Sequence, residues 1–184
     1  MLTKNDLNTK EKYDYVCSFS PYYIWRWKLF EEAMDMLVGL DASRVIEIGS
    51  YFYPVIAWAD TFDIKGTPNK LMDLDFMPWD IADKQYDLLI ALQTLEHLER
   101  RKLAFNEIKR VAKSALISLP YEWNEPDDHI HHNITMETIN KWTGGEVPVK
   151  TFIGGDENKK QIILYYKFKA CDGNKGSKYN PEPY

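Results

Sequence analysis

The chain has 184 residues, of which 45% are hydrophobic and 28% charged, and a formal net charge of −5. That length suits one domain with a substantial core, and the acidic balance argues against non-specific binding to a nucleic-acid backbone. No apolar run approaches the ~18 residues of a membrane span, and the N-terminal MLTKNDLNTKEKYDY lacks the apolar stretch of a signal peptide. Cys17 and Cys171 lie far apart with no CxxC spacing, so a reduced, cytoplasmic setting is the simplest reading, with a single disulfide as the alternative.

Residues 1–20 read as a polar, frayed N-terminal arm. Beyond Pro21, Tyr22, Trp25, Leu29, Ala33, Met36 and Leu37 recur near helical spacing, which predicts a helix within 21–39 stopped by Gly39. The core is expected over 44–168. Its first strand is Arg44–Gly49, a short apolar run broken by one acid. Pro54 suits the first turn of a short helix to Ala59. Strands follow at Thr61–Ile64 and Lys70–Leu74, then a Pro/Trp/Asp loop to Lys84. Tyr86–Leu92 (YDLLIAL) is apolar throughout and reads as a buried strand. A helix begins at Thr94 with Leu95, Leu98, Leu103, Phe105, Ile108 and Val111 on one broad side. Ser114–Leu119 is the fifth strand, and Tyr121–Asn133 a polar, aromatic, histidine-rich loop. Thr135–Thr143 fits an amphipathic helix with Thr135 as N-cap and Gly144-Gly145 as its end. Val147–Ile153 and Gln161–Phe168 form a hairpin, and 170–184 reads as a flexible tail.

Alternating strands and helices with a closing hairpin predict an α/β fold, a mainly parallel sheet with an antiparallel C-terminal edge. The connections Lys65–Asn69 and Phe76–Lys84 are too short for ordinary crossover helices. In such a sheet a ligand sits beyond the carboxyl ends of the strands. Glu47 to Tyr53, Asp63, Asp73 to Asp75, then Gln93, Glu96 and His97 all fall there. A carboxylate such as Asp63 accepts both hydroxyls of a ribose, with each hydrogen bond to the charged group worth roughly 1.5–3 kcal/mol. Asp73 with its neighbouring backbone suits an adenine amine. Glu47 either anchors the turn or neutralises a cationic ligand. The plainer reading of all these acids is loop capping at the surface.

The order Val45-Ile46-Glu47-Ile48-Gly49, Asp63, Asp73 with Pro78, Tyr86-Asp87-Leu88-Leu89-Ile90, and Leu95-Glu96-His97-Leu98 resembles the class I S-adenosylmethionine-dependent methyltransferases. Glu107 to Val111 and Leu116 to Pro120 continue the likeness to their small-molecule branch. The resemblance implies a Rossmann-like, seven-stranded sandwich. It also implies cofactor contacts at Glu47, Gly49, Ser50, Tyr51, Asp63, Ile64, Asp73, Leu74 and Gln93, with Gln93-Thr94 beside the transferred methyl group. Two departures stand out. The family's turn is E/D-x-G-x-G-x-G, and here Tyr51 and Tyr53 replace the second and third glycines. In the same backbone each would cost about 1–2 kcal/mol, so either the turn has another shape or the rings join the pocket, where one near a sulfonium gains roughly 0.5–2 kcal/mol. The usual Pro-Gly-Gly before the fifth strand is also missing.

Proton transfer at such a site falls to histidines, and His97, His129 and His131 are the candidates. His129, His131 and His132, with Asp128, would form a base-plus-orienter pair or a metal site only if the loop made them converge, and no metal is assigned. Tyr121, Trp123 and Trp142 are candidate acceptor-pocket walls or packing residues, and Trp25 and Trp27 a lid or core. The function expected is methyl transfer from S-adenosylmethionine to a small-molecule acceptor in the cytoplasm, with neither nucleic acid nor membrane as partner. An inactive, methyltransferase-like binding or scaffolding module is the alternative. Metal-dependent hydrolysis or deamination at the histidine loop comes third.

Overall fold

The strands β1 (Val45–Ile48), β2 (Asp60–Asp63), β3 (Lys70–Leu71), β4 (Tyr86–Leu92), β5 (Ala112–Pro120), β6 (Lys150–Gly155) and β7 (Lys160–Lys167) form one sheet in the order β3-β2-β1-β4-β5-β7-β6. The pairs from β3 through β5 are parallel, while β7 runs antiparallel to both β5 and β6. This computed structural model describes residues 1–17, 22–124, 130–155 and 159–169. The tail expected over 170–184, with Cys171, lies outside them. Among the described residues no helix is long and apolar enough to cross a membrane.

Alternation along the central strands loads both faces of the sheet. Ile46, Ile48, Leu89, Ala91, Ala115 and Ile117 point to one side, where Phe105 and Ile108 of α3 (Arg101–Val111) and Ile139 of α4 (Met136–Thr143) cover them. Val45, Leu88, Ile90, Leu92 and Leu116 point to the other, against Leu37 of α2 (Tyr22–Leu37) and Tyr13 of α1 (Lys10–Cys17). Two covered faces are what a parallel sheet of near-continuous apolar strands requires. The α4 cap is as the sequence predicts: the Thr138 amide donates to Thr135 Oγ1, and Gly144 ends the helix in the left-handed region at φ 67°. A second tie holds α2 to the hairpin, where Gln161 Nε2 donates to Glu32 Oε2 at 2.7 Å and to the Leu29 carbonyl at 2.9 Å.

Three expectations are corrected. The N-terminal arm, in its described part (residues 1–17), is folded onto the body rather than frayed. Its helix α1 buries Tyr13 to 1% exposure, and Leu2 is 3% exposed with its amide donating to the Leu40 carbonyl at 2.7 Å. A few apolar groups in a polar stretch suffice, because each lands in the core, Tyr13 within an aromatic cluster: its ring lies 5.2 Å from Trp27, 5.5 Å from Phe30 and 5.0 Å from Tyr53. The second correction concerns 54–59, which is extended and turn-like, not helical. Its backbone pairs with the arm instead, through a bridge between Leu7 and Ile56 and the bonds Asn8 N to Val55 O and Ala57 N to Asp6 O, each 2.9 Å. Third, the helix expected from Thr94 is split into a 3-10 turn, Leu95–His97, and α3.

The short connection before β4 is held without a crossover helix by one side chain. The Arg110 guanidinium donates to the carbonyls of Trp79 (2.9 Å) and Ile81 (2.6 Å) and to Asp83 Oδ1 at 2.8 Å. Glu107 braces it at 2.7 Å while accepting the Trp79 amide at 2.8 Å. Arg110→Ala therefore strips several charge-assisted bonds at once and leaves loop carbonyls without a partner. We expect a loss of about 2–4 kcal/mol, seen as a fall of roughly 5–15 °C in melting temperature. Arg110→Lys, which lacks the planar fork, should recover less than half of it.

Candidate active site

The turn after β1 is the first wall of a cavity of about 470 Å³ beyond the carboxyl ends of β1 to β4. Gly49 opens the turn at φ 71°. A Cβ there would lie 2.2 Å from Thr94 Oγ1, so this position admits only glycine. Tyr51 follows in the same left-handed region, at φ 53°. Its backbone is tied at both ends, since its amide donates to Asp63 Oδ2 at 2.8 Å and its carbonyl accepts from the Thr67 amide at 3.0 Å. These bonds offset the ~1–2 kcal/mol that a side chain costs in this conformation.

The two tyrosines part ways. The Tyr51 ring turns toward the β2–β3 connection, where Lys65 Nζ lies 5.6 Å from its centre and the Phe52 ring 4.0 Å from it. Its cation-attracting face is thus engaged by a protein lysine. Tyr53 leaves the cavity altogether: it is 2% exposed, lies in the aromatic cluster, and its hydroxyl donates to the Thr9 carbonyl at 2.9 Å. The backbone at Tyr53 has no positive φ among the described residues. Of the two shapes open to the sequence, Tyr51 keeps the glycine-like turn and Tyr53 abandons it.

Asp63, at the end of β2, accepts a second amide, that of Lys65, at 3.2 Å. Each of its oxygens holds one backbone donor and keeps capacity for another. Asp73, Leu74 and Asp75 line the next wall. Asp73 accepts the Asp75 amide at 2.9 Å, and Asp75 reaches across to the amides of Glu99 (3.1 Å) and Arg100 (2.9 Å). Gln93 closes the end of β4 at φ 52°, its amide donating to the Ser118 carbonyl at 3.0 Å. Thr94 Oγ1 then donates back to the Leu92 carbonyl at 3.1 Å, and the 3-10 turn that follows buries Leu95 and Glu96 while leaving His97 half-exposed.

Of the nine expected cofactor contacts, Gly49, Tyr51, Asp63, Ile64, Asp73, Leu74 and Gln93 line this cavity. Glu47 and Ser50 do not. They line a minor pocket of about 40 Å³ on the other side of the turn. The reason is depth: Glu47 pairs with Thr61, two residues short of Asp63 on the same face, and its carboxyl accepts the Val55 amide at 2.8 Å in the interior. Burial pushes its pKa up to about 8, against the amide donors of Val55 and Ile56. Glu47 is an anchor of the turn rather than a wall of the site.

His97 and His131 both line the cavity, with ring centres 5.1 Å apart. The histidine loop folds back on itself through a bridge between Trp123 and His132 and a bond from the Asn133 amide to the Trp123 carbonyl at 2.9 Å. That closure carries His131 over His97. His129 lies outside the described residues, as does Asp128, and His132 does not line the cavity. Trp123 is a wall, while Tyr121 and Trp142 are not, and Trp27 is core. Sequence reasoning missed Arg26, Lys65 and Leu98 as lining residues. Arg26 lies within the helical run YYIWRWKLF, where nothing in the spacing marks it for the cavity.

The Glu47 carboxyl makes stability depend on pH with a definite sign. The folded chain holds that proton up to about pH 8, whereas the unfolded chain releases it near 4.5. Between those values the folded state binds more protons, so stability falls as pH rises. Measured by denaturant melts, Glu47→Gln should gain on the wild type between pH 5 and 8. The difference should grow by up to about 1.4 kcal/mol per pH unit and level off above 8.

Residues 55–115 match the family model described as a methyltransferase domain, while no curated protein matches the chain. The fold is similar to that of a Thermotoga maritima S-adenosylmethionine-dependent methyltransferase, described as a possible histamine N-methyltransferase, at 10% identity and TM-score 0.59, over 84% of this chain and 97% of that one. It is similar to the magnesium protoporphyrin IX methyltransferase of Synechocystis PCC 6803 with bound SAH, at 15% identity and TM-score 0.60, over 80% and 84%. It is similar also to the cyclase SpnF, at 9% identity and TM-score 0.59, over 77% and 80%. The chain therefore carries the Rossmann-like fold seen in these S-adenosylmethionine-dependent methyltransferases, and its residues 55–115 match the methyltransferase-domain model.

Proposed function

We propose that the chain binds S-adenosylmethionine in the cavity beyond β1 to β4 and directs its methyl group to a small-molecule acceptor. The observation that carries this is the convergence of Gly49, Asp63, Asp73-Leu74 and Gln93 on one cavity of about 470 Å³, within the size of ordinary ligand sites. The residues fit the group. Asp63 retains acceptor capacity for a ribose diol. Asp73 and the Leu74 backbone suit the edge of an adenine, and the buried Leu74 and Leu98 side chains on the same cavity supply apolar contact. When bound, S-adenosylmethionine supplies an electrophilic methyl group on a sulfonium sulfur.

The remaining walls fall to the acceptor. Arg26, Trp123, His97 and His131 give that side a guanidinium, an aromatic plane and two imidazoles. Orientation of the acceptor against the methyl group supplies much of the rate in such a displacement. A histidine needs to take a proton only where the acceptor is a hydroxyl or amine that must lose one. A cavity of this size and mixed polarity suits a small acceptor better than a polymer, and the net charge of −5 disfavours nucleic acid.

The second reading, a binding module without transfer, draws on the tyrosines in the glycine turn and on the cyclase that shares the fold. Neither ring stops up the cavity, which favours the first reading. S-adenosylmethionine or S-adenosylhomocysteine at ~100 times its dissociation constant should add about 2.7 kcal/mol, or roughly 5–10 °C in melting temperature. Asp63→Asn keeps an acceptor for the Tyr51 amide and so keeps the turn. It should nonetheless bind on the order of tenfold more weakly through loss of charge-assisted bonds. No shift at millimolar ligand sinks both the cofactor and the transfer reading.

A further inference from the structure

The carboxyl of Glu96 is wholly buried, and neither of its oxygens has a hydrogen-bond partner among the described residues. Arg26 and Arg101 act on the carboxyl through their charge, but Arg101 spends its donors on the Glu96 backbone carbonyl, at 2.7 and 3.2 Å. Native interiors rarely leave such a group unmatched, and the cost of desolvating it is large unless a cation or donor meets it. What faces it is a pair of imidazoles. His97 Nε2 lies 4.0 Å from Glu96 Oε1, and His131 closes the group, so that one ligand atom from each of the three residues lies within 4.8 Å of the others.

We propose that Glu96, His97 and His131 form a binding site for a divalent transition-metal ion of the zinc type, at the acceptor side of the cavity. Two imidazole nitrogens and one carboxylate oxygen are the donor set of a site with a free coordination position. With metal–ligand distances of about 2.1 Å, tetrahedral donors stand roughly 3.4 Å apart. Contraction from the present spacing takes shifts of about 1 Å, within reach of side-chain rotation. The three donors come from two places in the chain, the 3-10 turn after β4 and the histidine loop, and the Trp123–His132 bridge brings them together. His97 and His131 also line the cavity, so the free position opens toward the ligand. There it suits an oxygen or nitrogen of a small molecule. For a hydroxylated acceptor, a consequence that rests on the methyl-transfer reading, the ion would lower the hydroxyl pKa so that its proton passes to solvent water. The oxygen would then take the methyl group as the sulfonium S–CH3 bond breaks and leaves S-adenosylhomocysteine.

The test uses the full chain, stripped with a chelator and titrated with Zn(II) and with Co(II) against a chromophoric competitor. Stoichiometric binding is expected, with the visible absorption of a low-coordinate Co(II) ion. Glu96→Gln and His131→Ala should each weaken it on the order of tenfold or more, while His132→Ala leaves it unchanged. His131 is partly exposed, so its alanine variant keeps the fold, checked by its melt. Absence of stoichiometric binding, or binding in His97→Ala and His131→Ala as tight as in the wild type, overturns the site. The S-adenosylhomocysteine shift is measured separately on the metal-free chain, so failure of cofactor binding is distinguishable from failure of metal binding.

Discussion

The Asp63 carboxylate, 2.8 Å from the Tyr51 amide and 3.2 Å from that of Lys65, fixes the shape of everything around the cavity. A turn with Tyr51 in the left-handed region has to hold that side chain against steric cost, and it does so by giving the residue's amide a charged acceptor. The same bond sets the distance between the ends of β1 and β2. Asp75 repeats the device one wall further on, stitching the loop after β3 to the backbone before α3. Acids at strand ends thus hold the walls apart at a fixed width, and those that keep free lone pairs remain available to a ligand. A mutational loss of binding at Asp63 would mix both effects unless the amide is used.

The sheet was legible because its central strands are short apolar runs that no other element explains, YDLLIAL above all. The hairpin and the capped helix α4 were legible for similar reasons, each carrying its own turn or cap chemistry. Strand-end polar residues were legible as a set and less so one by one. Glu47 and Asp63 sit on neighbouring parallel strands and on the same face, yet Glu47 pairs with Thr61, two residues short of Asp63. One therefore turns into the core and the other into the cavity, a difference of depth that the pattern alone does not show. Tyr53 was hidden by the arm that covers it. The arm carries few apolar residues, and their burial depends on partners in α2 and in the turn, which no local periodicity reveals. His131 needed the closure of a loop onto itself, a contact between residues whose spacing has no signature.

Two compact devices stand in for longer helical connections. Before β4, the Arg110 guanidinium gathers loop carbonyls that a crossover helix would have satisfied internally. At the outer end of the sheet, Glu32 of α2 accepts the Gly155 amide at 3.1 Å as well as Gln161 Nε2, locking the hairpin to the helix that also carries Arg26. Both devices concentrate many hydrogen bonds on one charged group. Such groups tolerate substitution poorly, which places the fragile points of the fold away from the cavity as well as within it.

The pairing of residues 6–8 with 55–57 gives the first seventeen residues a thermodynamic hold on the ligand site. They clamp Val55 and cover Tyr53, the residues on which the turn after β1 rests. Were this strap to lift, the turn would lose its backing, and a ligand held by the turn would then bind only the strapped population. The apparent dissociation constant is then the intrinsic one divided by the strapped fraction, and by reciprocity a bound ligand fastens the strap. The backing of the turn thus comes in part from a segment that lines no part of the main cavity.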